Sequence, residues 1–156
     1  MTVEAVEEIP MPKSVSLQYE RLFDSSTGLP GIALLLDRVE MALVRALRIR
    51  RQVGVLWFAE VRSWRDGADC PFSGIPFRSV LRLDDTVARV SERGFVVVCN
   101  DLEDEEDAPA IAQRVLGATK LAGRLGIAVS RPSEPARVLL TRAAHQAGVT
   151  NWSPGW

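Results

Sequence analysis

Cysteine, histidine and tyrosine are scarce in this chain, at two, one and one among 156 residues. The two cysteines, Cys70 and Cys99, lack the spacing of a metal site or of a disulfide framework. They read as reduced thiols of a cytoplasmic protein. The single histidine, His145, falls in a helical pattern with no cysteine, serine or carboxylate pair beside it. It reads as a helix-surface or packing residue, and no Ser/His/Asp set can be completed around it. A long apolar run is also missing. None approaches the ~18 residues of a membrane span, so no membrane insertion is expected. Neither charge sign dominates, since 19 basic and 20 acidic side chains leave a net charge of −1. That removes the broad basic field of most non-specific nucleic-acid binders, and no nucleic-acid partner is expected. It leaves room for a small anion at a local arginine cluster. The acidic opening, MTVEAVEEIPMPKS, lacks the basic-then-apolar order of a signal peptide. It reads as part of a flexible leader over residues 1–18, ahead of one domain over 19–150 and a tail over 151–156.

What is present is an ordinary globular pattern, 47% apolar and 25% charged, which suits a single core. Turn residues close the stretch from Tyr19 to Gly31. From Ile32 to Arg51, Leu36, Val39, Leu43 and Leu47 recur at three- and four-residue steps and predict one buried helix face. VGVLWFAEV, Val53 to Val61, is a nearly continuous apolar run and predicts a strand buried on both faces, with Trp57 in the core. Two prolines and two glycines break up Arg62 to Ser79, and a short helical turn is expected over Phe77 to Leu81.

The stretch RLDDTVARVSERGFVVV, Arg82 to Val98, then reads as a charged turn and a hairpin. Its strands begin at Thr86 and Phe95, with Ser91–Gly94 as the turn. The acidic run Glu103–Asp107 marks a helix start, where carboxylates meet the positive end of the helix dipole. Arg124 to Ser130 predicts a fourth strand. Glu134 to Gly148 predicts a last helix with Val138, Leu139 and Ala143 inward. Trp64, Trp152 and Trp156 sit in irregular segments, either as a contact surface or packed back on the domain. The order helix, strand, strand, strand, helix, strand, helix predicts an α+β fold: a mixed β-sheet with a central hairpin, flanked by helices.

Four stretches resemble one known family. DSSTGLPG resembles the D-x-L-T-G-L-P-N-R opening of GGDEF domains, the diguanylate cyclase family. DDTVARVSERGFVVV resembles that family's D-x-V-A-R-x-G-G-D-E-F hairpin, LGIAV its S-I-G-I-A strand, and ARVLLTRAA its last helix. The matches come in the family's order over Tyr19 to Gly148. The resemblance implies the nucleotide-cyclase-like fold, shortened in the segment before Arg82.

It also implies what the chain has lost. The family makes cyclic di-GMP from two GTP molecules with two Mg²⁺ ions, held by carboxylates on the first strand and in the hairpin turn. Ser91, Glu92, Arg93, Gly94 and Phe95 stand where G-G-D-E-F would stand, so Arg93 and Gly94 fill the two acidic positions. On the first strand Glu60 aligns with the first acidic position and Arg62 with the second. The base-reading residues would fall near Ala68 and Asp69, and Ala144 replaces the last helix's Asp. These departures imply a catalytically inactive module with no catalytic residues, no metal and no cofactor.

One family motif fits in register. The R-x-x-D inhibitory site, which binds cyclic di-GMP, precedes the hairpin, and Arg82 and Asp85 match it. Arginine offers a planar fork to a phosphate or a guanine edge, and aspartate accepts from guanine N–H groups. Arg89 joins them as the family's arginine after V-A, with a structural role open beside a binding one. The competing reading makes Arg82, Asp84 and Asp85 a solvated turn, with Asp85 bonding its own backbone. Two functions follow: a regulatory module that senses cyclic di-GMP through Arg82, Asp85 and Arg89, or a nucleotide-independent docking or homodimerisation domain.

Overall fold

The computed structural model describes residues 22–62, 72 and 79–152. Seven elements follow the expected order: α1 (Ile32–Ile49), β1 (Gln52–Ala59), β2 (Thr86–Ser91), β3 (Gly94–Leu102), α2 (Asp107–Thr119), β4 (Arg124–Val129) and α3 (Ala136–Gln146). The four strands form one sheet in the order β2-β3-β1-β4.

β1 is buried along nearly its whole length because both its faces are covered. Val53, Val55, Trp57 and Ala59 face α1 and α3, alongside Leu35, Leu36, Val39, Leu139, Leu140 and Ala143. Leu56 and Phe58 face the other side, with Phe72, Phe95 and the α2 residues Ala108, Ala112 and Val115. This two-sided burial is what a continuous apolar strand requires. The hairpin closes with Ser91 opposite Gly94, so Glu92 and Arg93 form its two-residue tip.

Several expectations need correction. All three strand pairings are antiparallel, not mixed. The crossover through α2 does leave β3 and β4 running in the same direction, but β1 lies between them. The buried face of α1 is Leu35, Leu36, Val39, Ala42 and Ala46, and Leu47 is exposed. In α3, Val138 is exposed, and Leu140 and Ala144 join Leu139 and Ala143 inside. Residues 79–81 form turn and bend instead of helix, and Phe77 lies outside the described residues. The acidic run mostly precedes α2. Asp107 opens the helix, and its carboxylate accepts the backbone N–H groups of Glu103 (3.2 Å) and Asp104 (3.1 Å). Trp152 packs edge-on against Trp57, with ring centres 5.1 Å apart. Trp64, Trp156 and Cys70 lie outside the described residues. Burial pushes the Cys99 thiol up, and the nearby Asp85 adds to the effect, so it stays a neutral packing group.

The glycine of LGIAV has a packing reason. A Cβ at Gly126 would strike the Ala143 carbonyl and the Ala147 amide of α3. Gly126→Ala should therefore destabilise the fold by about 1–3 kcal/mol in urea unfolding, the usual cost of overpacking. An unchanged midpoint would mean that α3 is not seated on β4 this closely.

Candidate functional site

The hairpin and the DSSTGLPG loop meet at Arg89. This β2 residue is 8% exposed, which is rare for a charge and demands partners. Its guanidinium donates to the Asp24 carboxylate (3.1 Å), the Ser26 hydroxyl, the Ser91 carbonyl (3.2 Å) and the Glu92 carbonyl (2.6 Å). Its backbone N–H donates to the Pro30 carbonyl at 2.9 Å. One residue thus ties the loop to the strand and to the turn. Asp24 also accepts from the backbone N–H (2.9 Å) and the hydroxyl (2.6 Å) of Thr27. Burial alone would raise its pKa. The hydrogen bonds from Thr27, Arg89 and Ser26, with the charge of Arg89, outweigh that and hold it below its ordinary value. Gly28 completes the loop with a φ of +73°, a conformation glycine adopts without strain.

At the end of β1, Arg93, Arg124 and Glu60 gather. The Arg93 guanidinium donates to the Val61 carbonyl (3.1 Å), and the Val61 N–H donates back to the Arg93 carbonyl (2.9 Å). Glu60 has a left-handed φ of 52° and pairs with Arg124. Glu92, at the tip, is exposed. Two Mg²⁺ ions do not fit these residues. A hard dication needs several oxygen ligands, and here one turn position is a cation, its neighbour has no side chain, and Glu60 already faces a guanidinium. Ala68 and Asp69 lie outside the described residues, and Ala144 is fully buried in the core.

The R-x-x-D turn sits at the other end of β2. The Asp85 carboxylate accepts the backbone N–H of Arg82 (3.0 Å) and of Asn100 (2.9 Å), and its own N–H donates to the Arg82 carbonyl (3.1 Å). Asn100 also donates its side-chain amide to the Asp84 carbonyl at 2.6 Å. Asp85 therefore staples the turn to β3. Burial pushes its carboxyl up, and these backbone donors only partly offset it. Each carboxylate oxygen keeps a second lone pair.

The exposed side of this turn lines a cleft of about 320 Å³. Its walls include Arg82 and Asp85, Leu29 and Pro30 of the loop, Phe72, and Arg38 of α1. The structure thus brings Arg82 and Asp85 together on one cleft. The guanidinium of Arg89 lies instead among the loop and turn acceptors. Sequence reasoning missed Arg38 and Asn100. Arg38 is one of several exposed arginines on α1, and nothing in its spacing marks it. Asn100 carries no motif at all.

No family model matches the chain, and no curated protein does. Solved structures do. The GGDEF domain of TpbB (YfiN) from Pseudomonas aeruginosa is 23% identical, aligns over 82% of this chain and 87% of its own, and superposes with a TM-score of 0.64. This chain has the GGDEF fold, in a shortened form. The diguanylate cyclase SiaD from the same organism, solved with its activator SiaC, is 20% identical at a TM-score of 0.65. The match takes in 88% of this chain and 61% of SiaD. DgcB from Caulobacter crescentus, solved as its coiled coil and GGDEF domain with cyclic di-GMP, is 11% identical at a TM-score of 0.60. That match covers 88% of this chain and 84% of DgcB.

The Arg89–Asp24 pair should matter for stability and for pH. Arg89→Ala takes the donors away from Asp24 and from the Ser91 and Glu92 carbonyls, so it should cost about 1–3 kcal/mol in chemical unfolding. Asp24 has a lowered pKa, so its contribution is present above about pH 4, the unfolded carboxylate value. It fades as pH falls through the lower folded value. The stability gap between wild type and Asp24→Asn should accordingly shrink as pH falls below about pH 4. A gap that stays constant across that range would show that the Asp24 charge is not what Arg89 needs.

Proposed function

We propose that this chain is a GGDEF-fold domain that performs no cyclase chemistry and acts as a regulatory binding module, reading cyclic di-GMP at the cleft beside Arg82 and Asp85. The observation that carries the binding half is the cleft itself. Two guanidinium groups from separate elements, Arg38 and Arg82, line it together with apolar walls. Among the described residues that line it, Asp85 is the one acid, and burial disfavours its charge. Such a surface suits a ligand with phosphates and flat purine faces, since arginine both pairs with phosphate and stacks on rings. About 320 Å³ lies at the lower end of small-molecule sites and suits a guanine with its adjoining phosphate. In this reading Arg82 contacts the ligand. Asp85 shapes the turn and offers its spare lone pairs to guanine N–H groups. Arg89 acts from behind by holding Pro30, one wall of the cleft. The complex of DgcB with cyclic di-GMP supports the ligand class.

The absence of cyclase chemistry follows from charge. Stabilising a triphosphate in transit requires divalent cations, and Arg93 and Gly94 fill the positions that would ligate them. Arg93 spends its guanidinium on the Val61 carbonyl, which supports a structural use of the turn.

Calorimetric titration of cyclic di-GMP should give micromolar binding, about −8 kcal/mol. Arg82→Ala and Arg38→Ala should each weaken it by roughly tenfold or more, about 1.4 kcal/mol. Both side chains line a solvent-facing cleft, so the variants should fold normally. No heat and no thermal shift with the wild type, or full affinity in Arg82→Ala, would overturn the assignment.

A further inference from the structure

A second cavity, about 520 Å³, lies at the C-terminal end of α1 and shares no lining residue with the cleft beside Arg82. One wall is α1 itself, through Leu43, Val44 and Leu47. The other is the loop from β4 to α3, residues 130–135, through Pro132 and Pro135. No aromatic side chain is among the described residues that line it, so it offers a nucleotide base no ring to stack on. Its apolar surface is aliphatic.

The loop wall is held at both ends. Val53 donates its backbone N–H to the Ser130 hydroxyl (2.9 Å), and the Ser130 N–H donates to the Val53 carbonyl (2.8 Å). At the other end, the Glu134 carboxylate accepts two bonds from the Arg142 guanidinium, each 2.8 Å, and the backbone N–H of Arg131 at 3.3 Å. A wall built in advance spares a ligand the cost of ordering it.

Positive charge converges on the same cavity from separate elements. Arg50 and Arg51 enter from the end of α1, and Arg131 from the loop. Among the described residues, Arg50 and Arg131 make no ion pair, and Arg51 has only an exposed contact with Glu103 at 3.6 Å. Glu134 is the one acid among the described lining residues, and Arg142 already neutralises it. No side chain caps the N-terminus of α3 beside Pro135, and no acidic residue stands in its first turn. The positive end of that helix dipole therefore adds to the field of the arginines.

We propose that this cavity binds a free fatty acid of medium chain length. Its volume is that of a small-molecule site, with aliphatic walls and a few convergent polar groups. The chain lies between α1 and the two prolines, and the arginine forks pair with the carboxylate. Leu47, otherwise 70% exposed, is covered in the complex.

The test is calorimetric titration of the full chain with sodium decanoate, beside octanoate and octanol. Decanoate should bind with a dissociation constant on the order of 100 µM. Octanoate should bind roughly tenfold more weakly, since each buried methylene is worth about two- to fourfold. Octanol, which keeps octanoate's chain and lacks its charge, should give no binding heat at the same concentrations. Arg50→Glu and Arg131→Glu, both at exposed positions, should each weaken decanoate binding roughly tenfold. Leu47→Asp, also at an exposed position, should abolish it. No saturable binding of decanoate at millimolar concentration would overturn the proposal. So would octanol that binds as well as octanoate, or charge-reversed variants that keep full affinity. Binding to phosphatidylglycerol vesicles without binding to decanoate would overturn it too, and would give the arginines to a membrane surface instead.

Discussion

The structure hangs on one buried guanidinium. Arg89 lies in a strand of the sheet, yet its side chain satisfies acceptors on the loop before α1 and on the hairpin tip. Burying such a charge is costly unless it is fully hydrogen-bonded. The loop and the tip are therefore each fixed by the other. From the loop follows the position of Pro30, and so one wall of the cleft beside Arg82. From the tip follows the direction of Arg93, which reaches back to the end of β1. Both candidate functional edges of the domain are set by the same residue.

The two edges differ in charge. Near the end of β1, Arg124 pairs with Glu60 and Arg93 donates to the Val61 carbonyl. A guanidinium replaces a metal ion well as a partner for a carbonyl or a carboxylate, but it cannot bridge a nucleophile and a phosphate as a dication does. At the other edge stand Arg82 and Asp85. They line a cleft that the aspartate itself helps to shape.

Much of this was legible in the sequence. All seven elements follow from apolar periodicity and turn residues, because β1 is buried on both faces and the hairpin tip is polar. The antiparallel sheet was not legible. Sequence order places β3 and β4 either side of a helix, and only the fold inserts β1 between them. In α1, Leu36 and Val39 are buried and Leu43 packs on the core as expected, and only Leu47 falls outside, for a physical reason. The helix is apolar on both sides, and the stripe through Leu43 and Leu47 is as regular as the true core stripe through Val39, Ala42 and Ala46. The dual character of Asp85 was visible as two competing readings, and the structure gives the carboxylate both a backbone role and a place on the cleft.

The central claim is that the hairpin edge does no phosphoryl chemistry. The most direct measurement is incubation of the purified protein with GTP and Mg²⁺, followed by chromatographic detection of cyclic di-GMP over hours. The account predicts no product above the protein-free control. Accumulation of cyclic di-GMP that disappears in Glu60→Ala would contradict it, since a working metal site would then exist at an edge where guanidinium groups outnumber carboxylates among the described residues.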